Sequence, residues 1–205
     1  MHSLFRKLTY DKLSKLKLDG QILDLGGIRK ADYHKLIKGQ HNIKVVNIDG
    51  DAKADFSFDL ENKFPIENDS YNNIICLNVL EHIFDYQNVV DESFRILKSG
   101  GEIINVTPFL LNIHECPNDY WRYTKQSLQK IFEKAGFKEI EISEIGTGLF
   151  GAIYQLKFGF LKIDIIRKIL MTGYIFMDRV LKLIRPNSFI TSRHMPLGFF
   201  VRAKK

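Results

Sequence analysis

Short runs rich in Ile and Val, separated by stretches with helical spacing, restrict what this chain can fold into more than any other feature. The runs are Gln21–Leu25 (QILDL), Ile43–Ile48 (IKVVNI), Asn72–Asn78 (NNIICLN) and Glu102–Thr107 (EIINVT). They show little strict alternation, which fits strands covered on both faces. Helical patterns lie between and after them, at about 30–38, 86–98 and 124–135. The third has Thr124 placed as an N-cap and Gly136 just past its end; the second closes on Lys98-Ser99-Gly100-Gly101. Such alternation predicts an α/β fold around a mostly parallel sheet. Further strands are expected at Lys138–Ser143 and Gly198–Arg202, and an amphipathic lead-in helix within 2–18.

The pattern breaks at Leu149–Arg185, which is long, apolar and helical by period. A stripe of Ile166, Ile169, Leu170, Gly173, Phe176, Val180 and Ile184 stands largely opposite Asp164, Lys168, Asp178, Lys182 and Arg185. One or two helices inserted before the final strand are expected. The organisation is therefore a core over 1–148, a helical insertion over 149–186 and a closing strand within 187–205. Charge follows the same division. Residues 151–205 carry 11 Lys and Arg against 2 Asp and Glu, whereas the first 150 residues carry 19 against 22. A protein that coats nucleic acid would not confine its positive charge to one end, so no nucleic-acid partner is expected. The insertion suits three roles: a substrate lid, a homodimer face, or an interfacial helix on anionic lipid. The longest charge-free stretch of the apolar C-terminal region, Ile145–Leu156, is too short to span a bilayer. No signal peptide is evident, and the 2 cysteines suit a reducing compartment. A cytoplasmic location is expected, with the insertion able to reach the inner face of the membrane.

The candidate chemistry sits at strand ends. The first strand closes on Asp24-Leu25-Gly26-Gly27, and α/β sheets bind ligands beyond the carboxyl ends of their strands, where glycines let the backbone approach. The loop continues Ile28-Arg29-Lys30-Ala31, so the dinucleotide pattern G-x-G-x-x-G is absent, which disfavours NAD. Asp49, after the second strand, is placed to accept hydrogen bonds from both hydroxyls of a ribose, with Asp51 as a rival. Asp59 could receive the amino group of an adenine while Leu60 packs on the ring.

These motifs, in this order, resemble class I S-adenosylmethionine (SAM)-dependent methyltransferases of the type 11 group. The resemblance runs from Leu23–Gly27 through Asp49, Asp59-Leu60 and Phe64-Pro65-Ile66 to Asn78-Val79-Leu80-Glu81-His82 and Arg95–Gly101. It implies a Rossmann-like, doubly wound, mostly parallel sheet of seven strands. It also implies SAM as cofactor, with Asp24, Gly26 and Gly27 around its methionine part, Asp49 on the ribose, Asp59 and Leu60 at the adenine, and Asn78 close by. The loop from Thr107 to Thr124, with Pro108-Phe109, His114 and Asp119-Tyr120-Trp121-Arg122-Tyr123-Thr124, looks like one found in type 11 enzymes of bacterial surface-polysaccharide biosynthesis. The acceptor is then a saccharide or another small or lipid-linked molecule.

Methyl transfer from a sulfonium requires alignment behind the methyl carbon and exclusion of water; an alcohol acceptor also needs a base. His82 and His114 are the candidate bases, with Asp119 beside them in the catalytic set. A Glu and two His can instead hold a divalent metal, so Glu81, His82 and His114 offer a metal-assisted alternative. With Asn78 in place of a further carboxylate, no metal is assigned. A methyltransferase-like fold that binds a nucleoside without turnover is the other alternative.

Overall fold

The computed structural model describes residues 3–48, 53–158, 163–185 and 191–205. The apolar runs become strands β1 (Gly20–Leu25), β2 (His41–Val46), β3 (Tyr71–Leu77), β4 (Leu97–Pro108), β5 (Lys138–Ile145) and β6 (Gly198–Lys204). They form one sheet in the order β2-β1-β3-β4-β6-β5. β1 pairs in parallel with β2 and β3, and β3 with β4, while β6 lies antiparallel between β4 and β5. Chain order reverses between β1 and β3, so their tips border the switch point at which such sheets bind ligands.

The helices are α1 (Leu4–Leu13), α2 (Tyr86–Ile96), α3 (Lys125–Lys134), α4 (Leu149–Phe158) and α5 (Asp164–Ile184). Val89, Val90 and Ile96 of α2 and Leu128 and Phe132 of α3 share one core with Leu23, Ile74 and Ile103. Leu4 and Leu13 of α1 and Ala152 and Tyr154 of α4 share the other with Ile22, Ile75 and Ile104. Both faces are thus covered, as the unbroken apolar strands require. Thr124 caps α3 as expected: its hydroxyl accepts from the Ser127 amide at 3.2 Å, and Ser127 Oγ accepts from the Thr124 amide at 2.9 Å. Thr124→Ala should cost about 1 kcal/mol in chemical denaturation, with Ser127→Ala smaller.

Three expectations are corrected. The described residues form six strands, not seven. After β2 there is only an isolated parallel bridge between Val46 and Phe56, and Asp55 folds back so that its Oδ2 accepts from the Val45 amide at 3.0 Å. The helix expected at 30–38 is a 3-10 turn, Asp32–Leu36. It stops there because Lys38 pairs with the segment after α1, donating to Leu16 and accepting from Leu18 at 3.1 and 2.8 Å.

The third concerns α5. Ile169, Phe176, Val180 and Ile184 of the expected stripe are exposed, but its Leu170 packs inward together with Met171, Tyr174 and Ile175. Asp178, expected on the polar side, is buried. Its carboxylate accepts from Thr147 Oγ1 at 2.6 Å and from the Phe150 and Gly151 amides at 2.9 and 2.7 Å. Those amides are orphan donors at the start of α4, and satisfying them rotates α5 so that its most apolar stripe looks outward.

Candidate functional site

The tip of β1 is a tight backbone turn. Gly26 has φ +71°, and a Cβ there would lie 2.6 Å from Val79 Cγ2, so the turn rests directly on the tip of β3. A Cβ on Gly27 would lie 2.1 Å from Asp24 Oδ2 and 2.8 Å from Tyr33 Oη. Asp24 itself is fully buried and gripped by the 3-10 turn: Tyr33 Oη donates to its Oδ2 at 2.5 Å, and His34 Nε2 lies 2.6 Å from the same oxygen. Burial raises the Asp24 carboxyl above its ordinary pKa, against the opposing pull of His34 and Tyr33. Its other oxygen, Oδ1, is buried with no hydrogen-bond partner. Asn47, just past β2, donates to the Gly27 carbonyl at 2.8 Å and holds the turn from the other side.

Asn78 follows β3 in the left-handed region, with φ +55°; its amide donates to the Val106 carbonyl at 2.8 Å. Its Oδ1 is buried and unpartnered. The structure therefore brings Asp24, Gly26 and Gly27 together with Asn78 and Val79 at one crevice. Asp59 sits in the segment after β2, its Oδ1 accepting from the Glu61 amide at 2.9 Å. Leu60 is a core side chain, buried with Phe64 and Val89. Asp49 and its rival Asp51 lie outside the described residues. Two open clefts flank β2: one of about 510 Å³ beside Gln21, Lys44 and Tyr71, and one of about 430 Å³ between Arg29, Lys30 and Ala31 of the loop after β1, His34 and Val45.

Beyond Asn78 the chain makes a short turn, Leu80–His82, and the loop after β4 closes over it. The Glu81 carbonyl accepts from the Tyr120 and Trp121 amides at 2.7 and 3.3 Å, Tyr123 Oη donates to the Leu80 carbonyl at 3.0 Å, and Trp121 Nε1 to that of Ile83 at 3.1 Å. This packing sets the His82 and His114 rings edge to face, with centroids 5.0 Å apart. Glu81 is fully buried beside them, with Oε1 3.8 Å from His82 Nε2 and neither carboxylate oxygen hydrogen-bonded. Burial pushes its carboxyl up to about 8. One ligand atom from each of Glu81, His82 and His114 lies within 4.8 Å of the others.

Asp119 is engaged differently from the histidines. Arg122 binds both of its oxygens, and its Oδ2 also accepts from the His114 amide at 2.9 Å. The guanidinium holds its carboxyl down to about 2, outweighing burial. These bonds tie together the loop that carries His114.

A family model described as a methyltransferase domain covers residues 2–142. The chain belongs to the methyltransferase-domain family. Its fold is the Rossmann-like fold of class I SAM-dependent methyltransferases. Phosphoethanolamine N-methyltransferase 2 of Haemonchus contortus, solved in complex with SAM, has a TM-score of 0.61 at 16% identity, over 98% of this chain and 52% of that one. A SAM-dependent methyltransferase from Archaeoglobus fulgidus has a TM-score of 0.56 at 15% identity, over 98% and 91%. An uncharacterized protein of Methanocaldococcus jannaschii is 34% identical over 76 residues, 36% of this chain and 33% of that protein. The chain thus spans about half of the Haemonchus protein, and the match reaches a third of the Methanocaldococcus one.

Within this methyltransferase fold, Tyr33, His34 and Asn47 hold the Asp24–Gly27 turn in place, and motif reading missed them. Asn47 left a trace: a lone amide interrupting the apolar run Val45-Val46-Asn47-Ile48. Tyr33 and His34 left none, because they looked like ordinary polar positions of a helix.

Proposed function

We propose that the chain transfers the methyl group of SAM to a hydroxyl of a saccharide or another small acceptor, free or lipid-linked. The observation that carries this reading is the meeting of the Asp24–Gly27 turn with Asn78 and Val79, next to the Glu81, His82 and His114 cluster. The first group would hold the methionine and nucleoside parts of SAM. Asp49 would bind the ribose hydroxyls, with Asp59 and Leu60 on the adenine side. The second would receive the acceptor hydroxyl and draw off its proton as the new bond forms. As the acceptor lone pair attacks, the carbon–sulfur bond breaks and leaves a neutral thioether, so alignment and dryness matter more than covalent chemistry.

The saccharide assignment is supported by the type 11 resemblance of the loop after β4 and by the surface beside it. Phe84 and Tyr120 are both exposed, stacked edge to face at 5.4 Å, next to polar groups: an apolar wall suited to a sugar ring. Calorimetry with SAM should give saturable binding. Labelled methyl should then pass to a carbohydrate or glycolipid fraction of a cell extract; label in protein or nucleic acid instead would refute the acceptor class. Asp49→Ala should weaken SAM binding by about 1.5–3 kcal/mol, the worth of hydrogen bonds to a charged acceptor, while Asp51→Ala leaves it nearly unchanged.

The outward face of α5 supports a membrane-surface location. Ile165, Ile169, Phe176, Val180 and Leu183 fall along one line of the helix and are exposed, bordered by exposed Lys168, Arg179 and Lys182. An apolar line with a basic border fits the interface of an anionic bilayer. Among the described residues, no helix is long and apolar enough to cross a membrane. The chain should sediment with phosphatidylglycerol vesicles and much less with phosphatidylcholine. At about 1 kcal/mol per cation, replacing Lys168, Arg179 and Lys182 with serine should cut that binding roughly a hundredfold.

A further inference from the structure

We propose that Glu81, His82 and His114 form a binding site for one divalent transition-metal cation. Each residue contributes an observation. Glu81 buries a whole carboxylate without a hydrogen-bond donor for either oxygen. Leaving such a group unpaired is costly; among the described residues its one ion-pair contact is His82 Nε2 at 3.8 Å, beyond hydrogen-bond reach, and Arg122, the nearby guanidinium, has its fork committed to Asp119. A dication would satisfy both oxygens at once.

The histidines are held as ligands are held. His82 Nδ1 lies 2.5 Å from the Asn118 carbonyl, so Nδ1 carries the proton and Nε2 keeps its lone pair on the Glu81 side, 3.8 Å from Oε1. His114 Nδ1 lies 3.1 Å from the Asn112 carbonyl, which likewise leaves Nε2 free to ligate. Donation of the second ring nitrogen to a carbonyl fixes tautomer and orientation in metal-binding histidines. Bonds of about 2.1 Å put neighbouring ligand atoms roughly 3–4 Å apart. The three ligand atoms already lie within 4.8 Å of one another, so small side-chain rotations close the set.

Two imidazoles and one carboxylate select zinc, manganese, iron or cobalt over magnesium and calcium, which prefer all-oxygen shells. Three protein ligands leave coordination positions open, and the proposed acceptor hydroxyl could fill one of them. A cation there would acidify that hydroxyl. Its O–H bond would break with the proton passing to water, while the oxygen–methyl bond forms and the sulfonium carbon–sulfur bond breaks. The existence of the site does not depend on the methyl-transfer reading; only this role does.

The test is a titration of tag-free, chelator-stripped full-length protein with Co²⁺, read by visible absorption, and with Zn²⁺, read by calorimetry. One equivalent should bind, with the intense d–d bands of a low-symmetry nitrogen and oxygen site. Glu81→Gln and His114→Gln should each weaken binding at least tenfold, and His194→Gln should not. Wild-type protein that takes up no cobalt, or takes it up equally well in both variants, overturns the proposal without any need for a variant to be active. SAM titration in the same samples separates the two readings. Cobalt binding without SAM binding sinks methyl transfer and leaves the metal site standing. Methyl transfer by stripped protein that binds no metal leaves a bare imidazole as the base and removes the cation.

Discussion

Gly27→Ala should abolish SAM binding and lower stability by about 3–5 kcal/mol, the worth of two hydrogen bonds to a charged group. The new methyl would sit 2.1 Å from Asp24 Oδ2 and 2.5 Å from its Cγ. A contact that short costs little when the other atom ends a flexible side chain. Asp24 is not free to move: Tyr33 and His34 hold the very oxygen that would have to leave, at 2.5 and 2.6 Å. Relief must come from breaking that pair of bonds in a buried setting, or from lifting the Gly26–Gly27 turn off Val79, which destroys the cradle. Gly100→Ala makes the control. Gly100 has a positive φ, +75°, which Gly27 lacks, and a Cβ there meets nothing within 4 Å, so backbone strain of about 1–2 kcal/mol without a steric clash is expected. Thermal unfolding and SAM calorimetry on the two variants decide it. If Gly27→Ala binds SAM like the wild type, the crevice at β1 is not the cofactor site.

That turn also shows what a linear reading can and cannot reach. Strand-end glycines were legible because Asp-Leu-Gly-Gly stands first in an ordered series of motifs, and all six strands fall on the apolar runs expected for them. What could not be read were partnerships made only after the chain folds. Tyr33 and His34 acquire their acceptor because the segment tightens into a 3-10 turn beneath Asp24, and that tightening depends on Lys38 pairing with Leu16 and Leu18. The α5 stripe shows the complementary limit. Periodicity revealed that a stripe exists, but α5 has apolar residues on both sides, and Asp178 decides which side is buried by capping α4. On the acceptor side, His82 and His114 were recognisable as chemistry-bearing residues far apart in sequence. Their 5.0 Å ring separation and the donorless burial of Glu81 come from a loop folding back over a turn.

Arg122→Ala should loosen that loop, and its effects should divide sharply between the two halves of the site. The Asp119 side chain is 1% exposed and its charge is held by the Arg122 fork, which also bonds the Trp121 and Asn112 carbonyls at 2.9 and 3.3 Å. Removing the fork strands a buried carboxylate and unties residue 112 from residue 122. Breaking a buried pair costs about 3–5 kcal/mol; with Arg122 partly open to water, about 2–4 kcal/mol is expected here. The pH dependence gives the sign. Asp119 is held down to about 2, against an ordinary 3.8, so the stability supplied by the pair is present above pH 4 and is lost as pH falls through 2. The gap between wild type and Arg122→Ala should therefore narrow over that range in chelator-stripped protein. Methyl transfer should fall at least a hundredfold, because His114 loses its fixed place. SAM affinity should stay within threefold, because the Asp24–Gly27 turn shares no partner with Arg122. Arg122→Lys keeps the charge but not the two-pronged geometry, and should recover stability more than rate. Equal losses of SAM binding and of transfer in Arg122→Ala would mean that the loop after β4 carries the cofactor as well as the acceptor.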